Sequence, residues 1–256
     1  MRIFCAGTIL ILAAATFAGE SGRPTAAAIV SQIREARKAT DLRASGRVVV
    51  VGAGGERKPH QVAMRAKSFG GEIRFFCEVT EPAAERVRLL LDISASGRAS
   101  IRVARPKDRA AQEMVFDRWN EELLGSHLSF EDLMESHFLW SRQTLLKEEK
   151  YGARQCYVVR SEPGPADRSH YAAVTAWLDQ EILYPVRVLK TVRATGASKE
   201  FIYYGLRQHK GLWSASQIEV KSPAKPGSTL LIINRGSAKA ALSRADFDPA
   251  LLVKPW

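Results

Sequence analysis

The sequence predicts a mainly β fold with a few covering helices, its strands paired antiparallel, on three observations. From Arg47 to Val103, apolar and polar residues alternate along successive short runs, the mark of an antiparallel sheet with one wet and one apolar face. Turn signals at Gly70-Gly71, Glu81-Pro82, Ser96-Gly97 and Arg105-Pro106 separate those runs at about 8–12 residues, a spacing typical of a barrel or sandwich. The period then changes in the stretch Gly125–Phe138, GSHLSFEDLMESHF, where a helix signal stands between two blocks of strands. Ser129 is a natural N-cap with Asp132 three residues on, and Leu128 and Leu133 occupy the positions of a hydrophobic staple. A lone short helix has little reason to form by itself, so this one is expected to cover something apolar that the strands leave open.

Composition sets the bounds. The chain has 256 residues, 46% hydrophobic and 25% charged, ordinary for a globular protein. At this length a chain buries roughly 70–75% of its unfolded surface, so stability requires neither disulfide nor metal. The formal charge of +11 suits anionic partners: lipid head groups, acidic polysaccharide or an acidic protein. Nucleic acid is not expected, because basic residues such as Arg86, Arg88, Arg98 and Arg102 alternate along strands and read as a solvated sheet face.

In chain order, Met1–Arg2 is a positive n-region, Ile3–Ala15 is apolar, and Thr16-Phe17-Ala18 supplies small residues at a cleavage site, so residues 1–18 read as a secretory signal peptide. The apolar run is shorter than the ~20 residues a membrane span needs. The remainder, 19–256, is expected to be a single β domain that is exported and touches membranes peripherally rather than spanning them. Removing the signal leaves Cys77 and Cys156. In an oxidising compartment they are a disulfide candidate; the alternative is two buried thiols that behave as small hydrophobes.

Pro24 to Lys38 reads as an amphipathic helix, with Ala26, Ile29, Val30 and Ile33 on one stripe and Arg34, Glu35, Arg37 and Lys38 mostly off it. The run Arg47–Val51 followed by GAGG at Gly52–Gly55 has the look of a dinucleotide-binding start. Arg57 stands where a third glycine is needed and Pro59 interrupts the following helix, so the glycines read as a hairpin loop. Alternation continues with Val62, Met64 and Ala66; Ile73, Phe75, Cys77 and Val79; Val87, Leu89, Leu91 and Ile93; and Ile101 and Val103. Asp108–Leu124 is less regular, with a short strand expected around Met114–Phe116 and Trp119 capping an edge. Beyond the covering helix, Ser141–Lys150 with Ala153–Ser161, His170–Leu178 with Tyr184–Arg193, and Glu200–His209 with Leu212–Lys221 read as three hairpins. Ser222–Gly227 is a Pro-containing turn, Thr229–Ile233 a last strand, and Asp246–Pro249 opens a small C-terminal helical turn.

Catalytic and metal signatures are missing from this pattern. His60, His127, His137, His170 and His209 lack ligand spacing, and neither C-x-x-C nor H-E-x-x-H occurs, so no metal site and no cofactor is expected. There is no G-x-S-x-G elbow. Ser126, His127 and Ser129 have no signalled acidic partner, and Glu131, Asp132 and Glu135 at a helix start read as complements to its macrodipole. The chain is therefore expected not to be an enzyme.

Three segments resemble the LolA-like outer-membrane lipoprotein-sorting proteins: GSHLSFEDL at Gly125–Leu133, EKYGARQCYV at Glu149–Val158, and WLDQEILYPVR at Trp177–Arg187. His127-Leu128 stands where that family more usually has a polar–aromatic pair. The resemblance implies an incomplete antiparallel β-barrel whose open, apolar concave side is closed by helices. It also implies a periplasmic carrier or binder of lipid or lipoprotein acyl chains in outer-membrane lipoprotein sorting, with no enzymatic activity. A half-barrel cannot fill its own interior as a small closed barrel does, which fits that expectation. The residues expected to face the acyl cavity are Met64, Phe75, Leu89, Leu91, Ile101, Val103 and Trp177. The alternative is a sensor or accessory module with an envelope membrane-protein partner, its concavity packed shut and an apolar patch exposed outside near Phe76, Tyr203 and Tyr204.

Overall fold

The alternation becomes one antiparallel sheet of 13 strands that is not closed into a barrel. The computed structural model describes residues 12–13, 23–209, 212–237 and 239–256. The expected signal peptide lies outside these residues, apart from β1 (Leu12–Ala13). Helix α1 (Ala26–Lys38) follows, then β2 (Asp41–Val51), β3 (Arg57–Phe69), β4 (Glu72–Glu81), β5 (Val87–Ile93), β6 (Ala99–Ala104) and β7 (Gln112–Glu113). The second block is β8 (Arg142–Tyr151), β9 (Arg154–Glu162), β10 (Tyr171–Asp179), β11 (Pro185–Val192), β12 (Ser198–Tyr204), β13 (Arg207–His209), β14 (Leu212–Ser214), β15 (Gln217–Ser222) and β16 (Lys225–Ser237).

The large sheet runs β7-β6-β5-β4-β3-β2-β16-β15-β12-β11-β10-β9-β8. Each block is a meander, and the two meet along β2 and β16, where Val48 pairs with Leu231. The expected third hairpin is β12 with β15; β13 and β14 form a small excursion between them that pairs with β1. The last strand is longer than expected, because β16 continues past Ile233 to Ser237 along β2. After Val51 the chain turns back in a hairpin, with the Gly52 N–H donating to the Glu56 carbonyl at 3.0 Å, so no Rossmann crossover forms.

Pairing register explains the core. Met64, Cys77, Leu89 and Val103 stand opposite one another across four strands, and Ala66, Phe75, Leu91 and Ile101 form the next row. All eight lie in the principal core cluster on the concave face. In the second block the matching row is Val159, Ala176, Val188, Phe201 and Val220. Helix α1 lays Ile29, Val30 and Ile33 onto this core, as its stripe predicts, with Thr25 capping the Ala28 N–H at 3.2 Å.

The structure corrects three expectations. Phe76 is not part of an exposed patch. It is buried with Leu90 beneath Leu242, Phe247 and Leu252 of the C-terminal segment, whose turns span Arg244–Phe247 and Pro249–Val253. Arg88 is not simply solvated: it donates to the Lys254 carbonyl at 2.6 Å, pairs with Glu78 at 2.9 Å, and lies 4.0 Å over the Trp256 ring. Cys77 and Cys156 are both free and buried rather than bridged. Cys77 sits in the concave core, whereas Cys156 belongs to a separate cluster with Val158, Trp177 and Val186, so the sheet itself separates the two sulfurs.

Candidate functional site: the covered concavity

The chain passes from edge strand β7 to edge strand β8 through residues 114–141, so this one segment bridges the two free edges of the sheet. It is not the two-turn α-helix expected from its capping signals. Between Glu131 and Leu139 it folds as two short 3-10 turns, Glu131–Leu133 and Ser136–Leu139, broken at Glu135, whose φ of 46° is left-handed. Its carbonyls are taken by other elements instead. Arg37 of α1 donates to the Glu135 carbonyl at 3.0 Å, Arg34 donates to those of Phe138 and Trp140, and Gln143 Nε2 donates to those of His137 and Trp140. With outside donors satisfying the carbonyls, a continuous helix has no advantage. The departure at His127 ties the cover to β16 through its ring, with Nδ1 3.0 Å from Thr229 Oγ1 and Nε2 3.2 Å from the Lys225 carbonyl.

Asp132 anchors the cover to the sheet. Its side chain is fully buried. Oδ1 accepts from the Tyr171 hydroxyl at 2.6 Å and Lys190 Nζ at 3.0 Å; Oδ2 accepts from Lys199 Nζ at 2.9 Å, the Ser129 N–H at 2.8 Å and Ser129 Oγ at 3.0 Å. Burial alone opposes ionisation, but the two ammonium groups and these donors outweigh it and hold the carboxyl well below its ordinary range. Beside it, Glu131 accepts from Ser169 Oγ and pairs with His170 Nδ1 at 2.9 Å. Glu135 stands differently: burial pushes its carboxyl pKa up, against the opposing charges of Arg37 and Lys190, and its Oε2 has no hydrogen-bond partner. His137 is held well below the ordinary imidazole range by burial and by the nearby Lys190 and Arg37 charges.

These carboxylates therefore do not serve a helix dipole; they clamp the cover. The expectation missed Lys190 and Lys199, which face each other across β11 and β12. A signal was present. Lys190 stands between Val188 and Val192 in an inward row of period two, and a lysine in an apolar row calls for a buried anion.

Two spaces adjoin the cover. A cleft of about 540 Å³ opens between the β5–β6 turn and the β9–β10 loop, with Trp119, Met134 and Trp140 of the cover contributing to its lining beside Arg98, Ala99 and Arg168. Its size falls in the range of about 300–1,000 Å³ typical of small-molecule sites. Deeper in, a void of about 30 Å³ is lined by Ala66, Ile73, Phe75, Leu91, Ile93 and Leu133 together with Arg37 and Thr40, with Met134 again on its wall. One methionine side chain thus lines both spaces. Of the residues expected to face a cavity, Phe75 and Leu91 border the inner void, while Met64, Leu89, Ile101 and Val103 are buried in the same core. Trp177 is the exception. It lies on the convex side, its Nε1–H donating to Glu149 and Arg187 stacked 4.5 Å over its ring. The alternation Val174-Ala176-Leu178 fills the inward positions, which leaves Trp177 facing out. Among the described residues, no group of three or more His, Cys, Asp or Glu is placed to hold a metal ion, and no helix is long and apolar enough to cross a membrane.

Solved structures with this arrangement include a domain named for outer membrane lipoprotein sorting from Vibrio parahaemolyticus, 20% identical, with a TM-score of 0.80 over 88% of this chain and 97% of that one. A DUF1329 family protein from Desulfovibrio piger is 17% identical, with a TM-score of 0.81 over 89% of this chain and 97% of that one. A LolA superfamily protein from Nitrosomonas europaea is 18% identical, with a TM-score of 0.70 over 90% of this chain and 100% of that one. No curated protein matches by sequence. A model of the DUF1329 family, with the description "Uncharacterized protein", matches residues 71–254.

Proposed function

The chain belongs to that DUF1329 family, and on this premise and its LolA-like fold we propose that it is a non-enzymatic periplasmic carrier or binder of lipid or lipoprotein acyl chains, exported by a signal peptide at residues 1–18 and folded as one domain over 19–256. The observation that carries the reading is the cleft floored by Trp119, Met134 and Trp140, with a single side chain, Met134, bordering both it and the void inside the concavity. An acyl chain enters the cleft, displaces Met134, and reaches the rows of Phe75 and Leu91. Each methylene removed from water contributes about 0.8 kcal/mol. The inner void holds no chain as it stands, so deep entry requires the cover to shift. The carrier serves outer-membrane lipoprotein sorting.

Native mass spectrometry of protein purified from the periplasm, together with uptake of a fluorescent acyl probe, tests it. Lipid carried through purification and saturable uptake are expected; absence of both refutes the reading. Ala99 lines the cleft, and Ala99→Trp fills it. Uptake should then fall by about tenfold or more, a loss of at least ~1.4 kcal/mol of binding.

The near-filled concavity favours a second reading, an accessory module that binds an envelope protein instead of lipid. A single stoichiometric envelope protein in a pull-down, with no lipid on the native protein, supports that reading over the first.

A further inference from the structure

The cleft is apolar on its floor, but its rim is not neutral. Arg98 on the β5–β6 turn and Arg168 on the β9–β10 loop both line it, and both are exposed. Among the described residues neither guanidinium is paired with a carboxylate; Arg168 instead lies 4.6 Å over the Phe116 ring. Glu78 and Glu200, by contrast, are taken up by Arg88 and Arg187. Asp167 is the carboxylate of the cleft wall, and its Oδ2 turns back to accept the Gly164 N–H at 2.8 Å. Two guanidinium groups without a carboxylate partner among the described residues therefore rim a floor of Trp119, Met134 and Trp140.

Volume sets the size of the guest. At about 540 Å³ the cleft is of small-molecule size, the scale of a single-chain amphiphile. Guanidinium groups bind carboxylate and phosphate in bidentate fashion, which a neutral head group cannot reproduce.

We infer that the cleft takes a single-chain anionic amphiphile, its carboxylate or phosphate held by Arg98 and Arg168 and its chain laid over Trp119 and Trp140 toward Met134. The inference rests on the acyl-binding reading and names its substrate class. The shared chemistry has two sources, a free fatty acid and a lysophospholipid.

Calorimetric titration of the purified protein with palmitate, monopalmitoyl lysophosphatidylglycerol and neutral monopalmitoylglycerol tests it, alongside Arg98→Gln, Arg168→Gln and the double variant. All these positions are exposed, and circular dichroism checks that the variants fold. At least one of the two anionic ligands should bind about tenfold tighter than the neutral one, as expected for charge-assisted hydrogen bonds. The double variant should lose that preference while binding the neutral ligand unchanged. Tighter binding of palmitate identifies a fatty acid as the source, and tighter binding of the lysolipid identifies a phospholipid fragment. Equal affinity for all three, or a preference that survives in the double variant, overturns the inference. Failure of all three with retained uptake of a multi-chain acyl lipopeptide overturns the inference and leaves acyl binding standing; failure of the lipopeptide as well overturns both.

Discussion

At the residue scale, Asp132 decides how the cover is held. Its carboxylate is surrounded by five donors, two of them cationic, and removing its charge leaves Lys190 and Lys199 facing a neutral group inside the protein. Asp132→Asn should cost about 3–5 kcal/mol, the usual result of breaking a buried ion pair from one side, read by urea denaturation. The depressed pKa means that this carboxylate stabilises the fold above its unfolded value near 4, and that the contribution is lost only as pH falls below that value. His137 acts at milder pH. Its folded pKa is lowered, so the unfolded chain takes up a proton near pH 6.5 that the folded chain refuses, and stability must drop as pH falls below that point. His127, also lowered chiefly by burial, adds to the same slope. Glu135 works the other way: its raised pKa means that the fold loses stability as pH rises above the ordinary glutamate value. The melting temperature should therefore decline from pH 7 to pH 5, and His137→Gln should flatten that decline without abolishing it.

At the element scale, two strands approach closely where the two blocks of the sheet meet. A Cβ on Gly46 of β2 would stand 2.1 Å from the Ile232 carbonyl oxygen of β16, against backbone that cannot step aside. Gly46→Ala should destabilise the protein by about 1–3 kcal/mol, the range for overpacked sites, measured as a shift in denaturation midpoint at unchanged m-value. Strands were legible in the sequence because period-two alternation is a local property. The rows Met64, Cys77, Leu89, Val103 and Ala66, Phe75, Leu91, Ile101 follow from it directly. The cover was legible in place but not in kind. Ser129, Asp132 and the leucines around them carry true capping signals, yet the carbonyl partners that replace helical hydrogen bonds come from Arg34, Arg37 and Gln143, distant in sequence or on another element. Asp132 was misread for the same reason: its partners Tyr171, Lys190 and Lys199 are brought to it only by the finished fold. Trp177 is a different error, since the alternation of its own strand already placed it on the outer face.

At the scale of the whole molecule, an open sheet has two broad faces to cover, and different parts of the chain cover each. Helix α1 and residues 114–141 close the concave side, while the C-terminal segment shields Phe76 and Leu90 on the convex side. Phe247 is fully buried there, with its ring 5.8 Å from that of Phe69, edge to face. Phe247→Ala should cost about 3–5 kcal/mol and raise binding of a hydrophobic dye, because it uncovers an apolar patch rather than leaving a closed cavity. Acyl uptake through the cleft, on the opposite face, should be unchanged in that variant at temperatures where it remains folded.

The junction of β2 with β16 has a kinetic corollary. Strand β2 is among the first to be synthesised and β16 is the last, so one side of β2 stays unpaired until nearly the entire polypeptide is present. Pairings this remote in sequence are slow to form, because the loop between them must be closed before any contact rewards it. Each meander can gather locally, but the molecule acquires its single sheet only in a final joining step. Refolding is therefore expected on a timescale of roughly milliseconds to seconds, with Gly46 at the place where that step is won or lost.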